Sequence, residues 1–355
     1  MKLIIYGAQA IALGTYRALK TLFQDVEIPC FLVKERGINP EILAGIPVME
    51  LSEFVKCELY CDVEILICTP ENIMGEIEAD LGKIGLYDHV RMTSDRFAEL
   101  MSFAYSKSGE FRPLSQYPIG SQRADITVYI AKHHKDKALK EDVEYPDFFI
   151  PIQVGAALTD VRVSEVTDDK GDNISKRNVN YSELSGLYWI WKNVLENGCE
   201  KGYVGLAHYR RFLSISQDDI LRLKNNDIDV VLPYPMPYEP SIEEHHKRYL
   251  KNDDWNGLLE AFREIHSEDI PAMEKVLSQE YMCNYNIILA KAEVLRDYCE
   301  WLFPVLFRTE ELSIPKGIER ADRYIGYIGE TLLTVYFMSR ICTLKIAYSG
   351  CKFLM

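Results

Sequence analysis

KLIIYGAQAIALGTYRALKTLF, residues 2–23, reads as a short apolar strand, a glycine-flanked turn and a helix. The same rhythm continues outward from it. IPCFLV at 28–33 and VEILICT at 63–69 are buried-strand runs, and MGEIEADLGKIG at 74–85 is a second helix pattern. Strands alternating with helices predict a small parallel sheet with helices on its faces over residues 1–115. FRPLSQYPIGSQ at 111–122 then breaks the period and carries Pro113, Pro118 and Gly120, the composition of a linker. ITVYIA at 126–131 restarts the pattern, and YVGLAHY at 203–209, DVVLPY at 229–234 and YNIILA at 285–290 follow as strands. SELSGLYWIWKNVLENG at 182–198, EVLRDYCEWLFPVLF at 293–307 and YIGETLLTVYFMSR at 327–340 are helix patterns. The expected class is α/β, with one larger domain over 123–355.

A length of 355 residues with 26% charged side chains suits an ordinary globular chain of about two domains. The net charge of −14 argues against a general binder of nucleic acid or anionic lipid, so an anionic ligand must meet a local basic patch. The nine cysteines are scattered, and the closest pair, Cys57 and Cys61, lacks a second pair at zinc spacing. They read as reduced thiols. Met1–Leu13 imitates a signal peptide, but Gly7, Gln9 and Gly14 interrupt it. No apolar run reaches the ~18 residues of a membrane span. The expected location is cytoplasmic, with peripheral association at the inner membrane face as the furthest extension.

The turn GAQAIALG, Gly7–Gly14, is a Rossmann-like strand-to-helix turn with a defective dinucleotide fingerprint, since Gln9 and Ala12 occupy the second and third glycine places. A Gln side chain obstructs the close approach of backbone to pyrophosphate. Glu35 is the candidate ribose acid. The module therefore reads as structural first and nucleotide-binding second, which argues against an oxidoreductase. IPVMELSEF at 46–54 bears a weak resemblance to N-terminal nucleotide-binding-like domains attached to bacterial sugar-modifying enzymes.

Three basic clusters stand out in the second domain: His133-His134-Lys135 closes ITVYIA, Lys176-Arg177 follows Asn173 and Ser175, and His208-Tyr209-Arg210-Arg211 closes YVGLA. Ligands of open α/β sheets bind at carboxyl strand ends, and Arg beside Ser and Asn suits a diphosphate. Asp227-Ile-Asp229 is a literal D-x-D, but it precedes its strand and reads as turn chemistry. EEHHKR at 243–248 reads as a solvated helix face before a metal site. Trp189, Trp191 and Trp301 read as core anchors before sugar platforms.

The ordered strings NISKRNVNYSELSGLYWIWKN, YVGLAHYRRF, YNIILAKAEVLRDYCEWLF and YIGYIGETLLTVYF resemble a bacterial family of capsular and exopolysaccharide glycosyltransferases with a His-Tyr-Arg-Arg signature, formerly described only as a domain of unknown function. The resemblance covers about 123–350. It implies a divergent GT-A-like fold and a nucleotide-sugar donor, with galactofuranosyl transfer among the family's attributed activities. Position by position it marks His134, Lys135, Gln153, Gly155, Asn173, Ser175, Lys176, Asn178, Glu183, His208, Tyr209, Arg210, Arg211, Asn286, Trp301, Gly326 and Glu330. Ser182 replaces a frequent Cys, and Thr331 replaces the Arg that commonly follows the Glu, which removes a salt bridge or phosphate contact expected beside Glu330.

The expected activity moves a sugar from a UDP-linked donor to a surface-polysaccharide or lipid-linked acceptor. The alternative is a non-catalytic protein that binds sugar nucleotides. Arg210 and Arg211 are expected to neutralise phosphate charge and lessen dependence on a divalent cation, manganese or magnesium. Glu330, read as lying at the opening of an apolar helix, is the expected base for the acceptor hydroxyl. Glu183 and Asp322 are its alternates.

Overall fold

The computed structural model describes residues 2–57, 63–139, 145–198 and 202–354. Cys61 lies outside them. The seven cysteines within them are free.

Six strands form the first sheet: β1 (Leu3–Tyr6), β2 (Phe31–Val33), β3 (Ile42–Leu43), β4 (Ile46–Glu50), β5 (Glu64–Ile67) and β6 (His89–Arg91). Their order is β3-β4-β2-β1-β5-β6. All neighbours are parallel except the β3–β4 hairpin. All four residues of β1 are buried, as a central parallel strand covered on both faces requires. The chain winds outward in one direction from β1 and in the other from β5, so the topological switch lies between their carboxyl ends.

The second sheet contains β7 (Ile126–Lys132), β8 (Phe149–Gln153), β9 (Val166–Thr167), β10 (Tyr203–His208), β11 (Arg211–Leu213) and β12 (Val230–Pro233). After a separate short pair, β13 (Met236–Pro237) with β14 (Tyr281–Met282), it is completed by β15 (Ile288–Lys291), β16 (Ile346–Ser349) and β17 (Cys351–Phe353). Its main path is β16-β12-β15-β10-β7-β8-β9, and β11 joins β10 to β17. β15 alone on this path runs against its neighbours. One edge therefore gathers the carboxyl ends of six strands and the loop leading into β15. The helices Ala292–Leu312 and Tyr324–Ser339 supply much of the apolar layer below. Trp191 stacks on Phe303 and Trp301 on His266, so both are core anchors.

The two sheets share a core. Ala18, Met101, Ala104 and Tyr105 from the first sheet's helices belong to the same apolar cluster as Tyr234 and Tyr348 of the second. Tyr105 Oη donates to Pro235 O at 3.0 Å, and Arg17 bridges Glu239 at 3.0 Å and Glu280 at 2.6 Å. At Gly350 an added Cβ would sit 2.4 Å from Ala98 Cβ, so the helix Ser94–Ser108 approaches the second sheet's edge closely. The stretch 111–122 differs from its composition: it is no loose linker, because Phe111, Leu114 and Tyr117 are buried and Pro113 bridges to Tyr348.

Candidate active site

β7 and β10 are parallel neighbours from which the second sheet winds in opposite directions, and Tyr209 N donates to Ala131 O at 3.2 Å where they end. His133, His134 and Lys135 leave β7 there, and His208 through Arg211 leave β10. Two of the three basic clusters thus meet at a topological switch point. Arg210 reaches across to Lys137 O and Ala138 O at 3.2 and 3.3 Å. Its Nε and His134 Nδ1 are buried without a protein partner. Arg211 lies over the rings of Tyr285 and Phe353 at 4.7 and 5.7 Å and remains exposed.

Beneath these cations stand two carboxylates. Glu183, only 6% exposed, accepts from Asn286 Nδ2 at 2.6 Å, and His208 Nε2 stands 3.9 Å away. His208 Nε2 also lies 2.6 Å from Tyr285 O, which can only accept, so that nitrogen carries a proton. The Tyr285 backbone N–H in turn donates to the Glu330 carboxylate. Tyr285 and Asn286 achieve this with φ of 75° and 50°, left-handed backbone seldom seen outside glycine. Burial foremost, with the negative charge of Glu183 added, pushes the Glu330 carboxyl up to about 7, against opposing pulls from Tyr285 N–H, Arg211 and Arg323.

The position of Glu330 corrects its expected environment. The helix begins at Tyr324, so Glu330 is its seventh residue and lies beyond the first turn where the helix dipole favours an anion. Burial wins, and the carboxyl is shifted upward. Gly329 just before it allows close packing, since a Cβ there would fall 2.5 Å from Leu184 Cδ1 and 3.1 Å from Asn286 Oδ1.

Other residues singled out from the sequence are held differently. Asp322 is exposed and paired with Arg320, whose Nε reaches both carboxylate oxygens at 3.0 Å; it stands outside the carboxylate pair and is a poor base. Gln153 is buried and clamps the chain ahead of β9 through Val161 O and Val163 N. Ser175 is fully buried, donating to Asp168 at 2.5 Å, and Asn178 donates to Ser182 O at 2.6 Å. Gly155 has φ of 65° and a Cβ there would meet Asn178 Oδ1 at 2.7 Å, so it permits a close turn. Asn173 organises its own loop through Gly171 O and Ser175 N, while Lys176 is exposed on the turn that packs against Ala156–Leu158, just after β8.

Asp168, Tyr285 and Arg323 escaped sequence reasoning. Asp168 is fully buried and collects Gly155 N, Ala156 N, Ser175 Oγ and Ser185 Oγ at 2.5–3.0 Å, tying the loops after β8 and β9 together. Nothing distinguishes it from the adjacent Asp169 in the string TDDK. Arg323, in left-handed backbone with φ of 63°, donates to Ser182 Oγ at 3.0 Å and lies within electrostatic reach of His133 and Glu330.

Asp227 and Asp229 sit at the amino end of β12, on the opposite edge, both paired with Lys291 at 2.6 and 2.7 Å. At the carboxyl end of β10 stand a histidine and two arginines instead. This donor set does not fit a divalent cation. His245 and His246 are buried and stacked on Tyr238 and Trp255, which corrects their reading as a solvated face. Among the described residues no group of three or more His, Cys, Asp or Glu could hold a metal.

Residues 127–340 match the model of the domain of unknown function DUF4422, and the chain belongs to that family. The solved apo structure of the bifunctional glycosyltransferase WbbM is similar at 26% identity with a TM-score of 0.54, over 64% of this chain. The chain spans 45% of that chain's length. No curated protein matches significantly. The mixed sheet, with one reversed strand on its main path, is thus a GT-A-like α/β fold.

Proposed function

We propose that the chain is a glycosyltransferase that moves a sugar from a UDP-linked donor to a surface-polysaccharide or lipid-linked glycan. The observation that carries this reading is a carboxyl poised near neutrality, Glu330, beside a second carboxylate and beneath Arg211 and Arg323 at the switch point. A base for an acceptor hydroxyl works best with a pKa near the working pH, and a departing diphosphate needs fixed positive charge. Similarity to WbbM and membership of the family support the class of reaction.

In the proposed step the acceptor oxygen bonds to the anomeric carbon as the bond from that carbon to the diphosphate breaks. The hydroxyl proton passes to Glu330, and the UDP leaves as an anion facing Arg210 and Arg211. Glu183, held by Asn286, raises the proton affinity of Glu330 and anchors the His208 side of the site. Lys135 extends the positive rim on the donor side, with His134 beside it.

The test is sugar transfer and UDP release by purified protein across a panel of UDP-sugars, furanose donors included. Glu330→Gln should retain donor binding and lose transfer by a factor on the order of 10²–10⁴, the usual contribution of a general base. Glu183→Gln should be milder and shift the pH–rate profile. Wild-type transfer by Glu330→Gln would remove Glu330 from this role. Nucleotide-sugar binding without any turnover would favour the non-catalytic alternative.

A further inference from the structure

A cavity of about 520 Å³ lies between the two sheets, within the range of small-molecule sites. Its floor is the carboxyl edge of the second sheet, where Arg210, Arg211, Asn284 and Tyr285 stand. Its roof is the first sheet's own switch point, where Thr69 and Asn72 follow β5. Two edges of the kind that bind ligands in open α/β sheets therefore face one another across one space.

The walls are built for a ligand with many hydroxyls. Asn284 is 7% exposed, and its Oδ1 has no protein partner although its Nδ2 donates to Tyr238 Oη at 2.6 Å. Thr69 Oγ1 and Arg210 Nε, from opposite sides of the cavity, are likewise buried and unpartnered. Three wall residues thus carry polar groups that the protein leaves unmatched, a costly arrangement unless another molecule completes it. Tyr234, Phe97 and Phe353 add aromatic surface between them. The amide of Asn284 and the hydroxyl of Thr69, beside aromatic faces and with Arg210 and Arg211 at one end, are the chemistry that receives a saccharide next to a phosphate. An acyl chain would leave Asn284 and Thr69 unsatisfied.

We infer that the first module forms one wall of the saccharide acceptor site, with Thr69 and Asn72 reading the acceptor from above and Asn284 from below. The assignment rests on the transferase reading of the second domain and deepens it. Arg210 and Arg211 line this cavity and also stand at the switch point proposed for the donor, so an acceptor here would lie next to the departing diphosphate.

Saturation-transfer NMR on the full chain, with methyl glycosides of glucose, galactose and mannose as probes, tests this without turnover. At least one glycoside should receive saturation, and its signal should persist when UDP is added. Asn72→Trp, which fills the cavity from an exposed helix position, should abolish the signal. Thr69→Val, nearly isosteric, should weaken binding roughly threefold to tenfold while thermal unfolding shows both variants folded. No signal from any glycoside, a signal unchanged in Asn72→Trp, or a signal displaced by UDP would each overturn the assignment. Saturation in a protein that releases no UDP from any donor would leave a saccharide site between the two sheets standing, while the transferase reading and with it the acceptor role fell.

Discussion

In its proposed role Glu330 bears a cost as well as a task. Its carboxyl titrates in the folded chain at about 7 and in an unfolded chain near its ordinary value of 4.5, so the folded state holds the proton more tightly. The associated stability is present below the unfolded value and is lost as pH rises toward 7. The difference corresponds to roughly 3 kcal/mol above neutrality. Glu330→Gln should therefore raise the unfolding temperature at pH 8 and change it little at pH 4, while transfer is lost; equal shifts at both pH values would contradict the buried-acid account. Arg210→Ala and Arg211→Ala test the other half of the site. Each should weaken UDP binding by roughly 1.5–3 kcal/mol, the size of a charge-assisted contact, measured by calorimetry with and without a chelator. Unaltered binding in both, with strict need for a metal, would restore a cation-based account.

Among the elements, the short helix Ile242–His246 shows how burial reverses a reading from composition. His245 stacks on Tyr238 at 3.6 Å, and burial foremost, then Arg248, lowers its pKa to about 3. The unfolded chain takes up this proton first as pH falls through about 6.5, so the corresponding stability is lost from there down to about 3. His245→Phe, which keeps the stack and removes the titration, should flatten the fall of unfolding temperature between pH 6.5 and 4; an unchanged slope would show that other groups govern acid unfolding. The strand runs and the His-Tyr-Arg-Arg at the end of β10 were legible because period and strand-end position are local properties. Glu330 was singled out from the sequence but misread in environment, since whether it opens a helix depends on where Tyr324 begins one. The Asp168 hub was invisible: its four donors come from Gly155, Ala156, Ser175 and Ser185, which only the folded chain assembles. Phe111, Leu114 and Tyr117 were hidden by the prolines beside them.

At the scale of the whole molecule, Gln9 ties the first sheet to the second. It stands in the second glycine place of the defective fingerprint, receives a hydrogen bond from Arg248 of the second domain and donates to Asn39 at 2.6 Å. Ala44 N reaches Glu239 at 2.8 Å nearby, so this corner fastens one module to the other. Gln9→Gly should lower the unfolding temperature by a few degrees, as loss of a part-buried polar contact does, without creating affinity for NAD measured by fluorescence titration. Measurable NAD binding would show that the side chain alone had been blocking a cofactor. The turn holds a joint at the place where an intact fingerprint would admit a nucleotide, and restoring the glycine would loosen that joint.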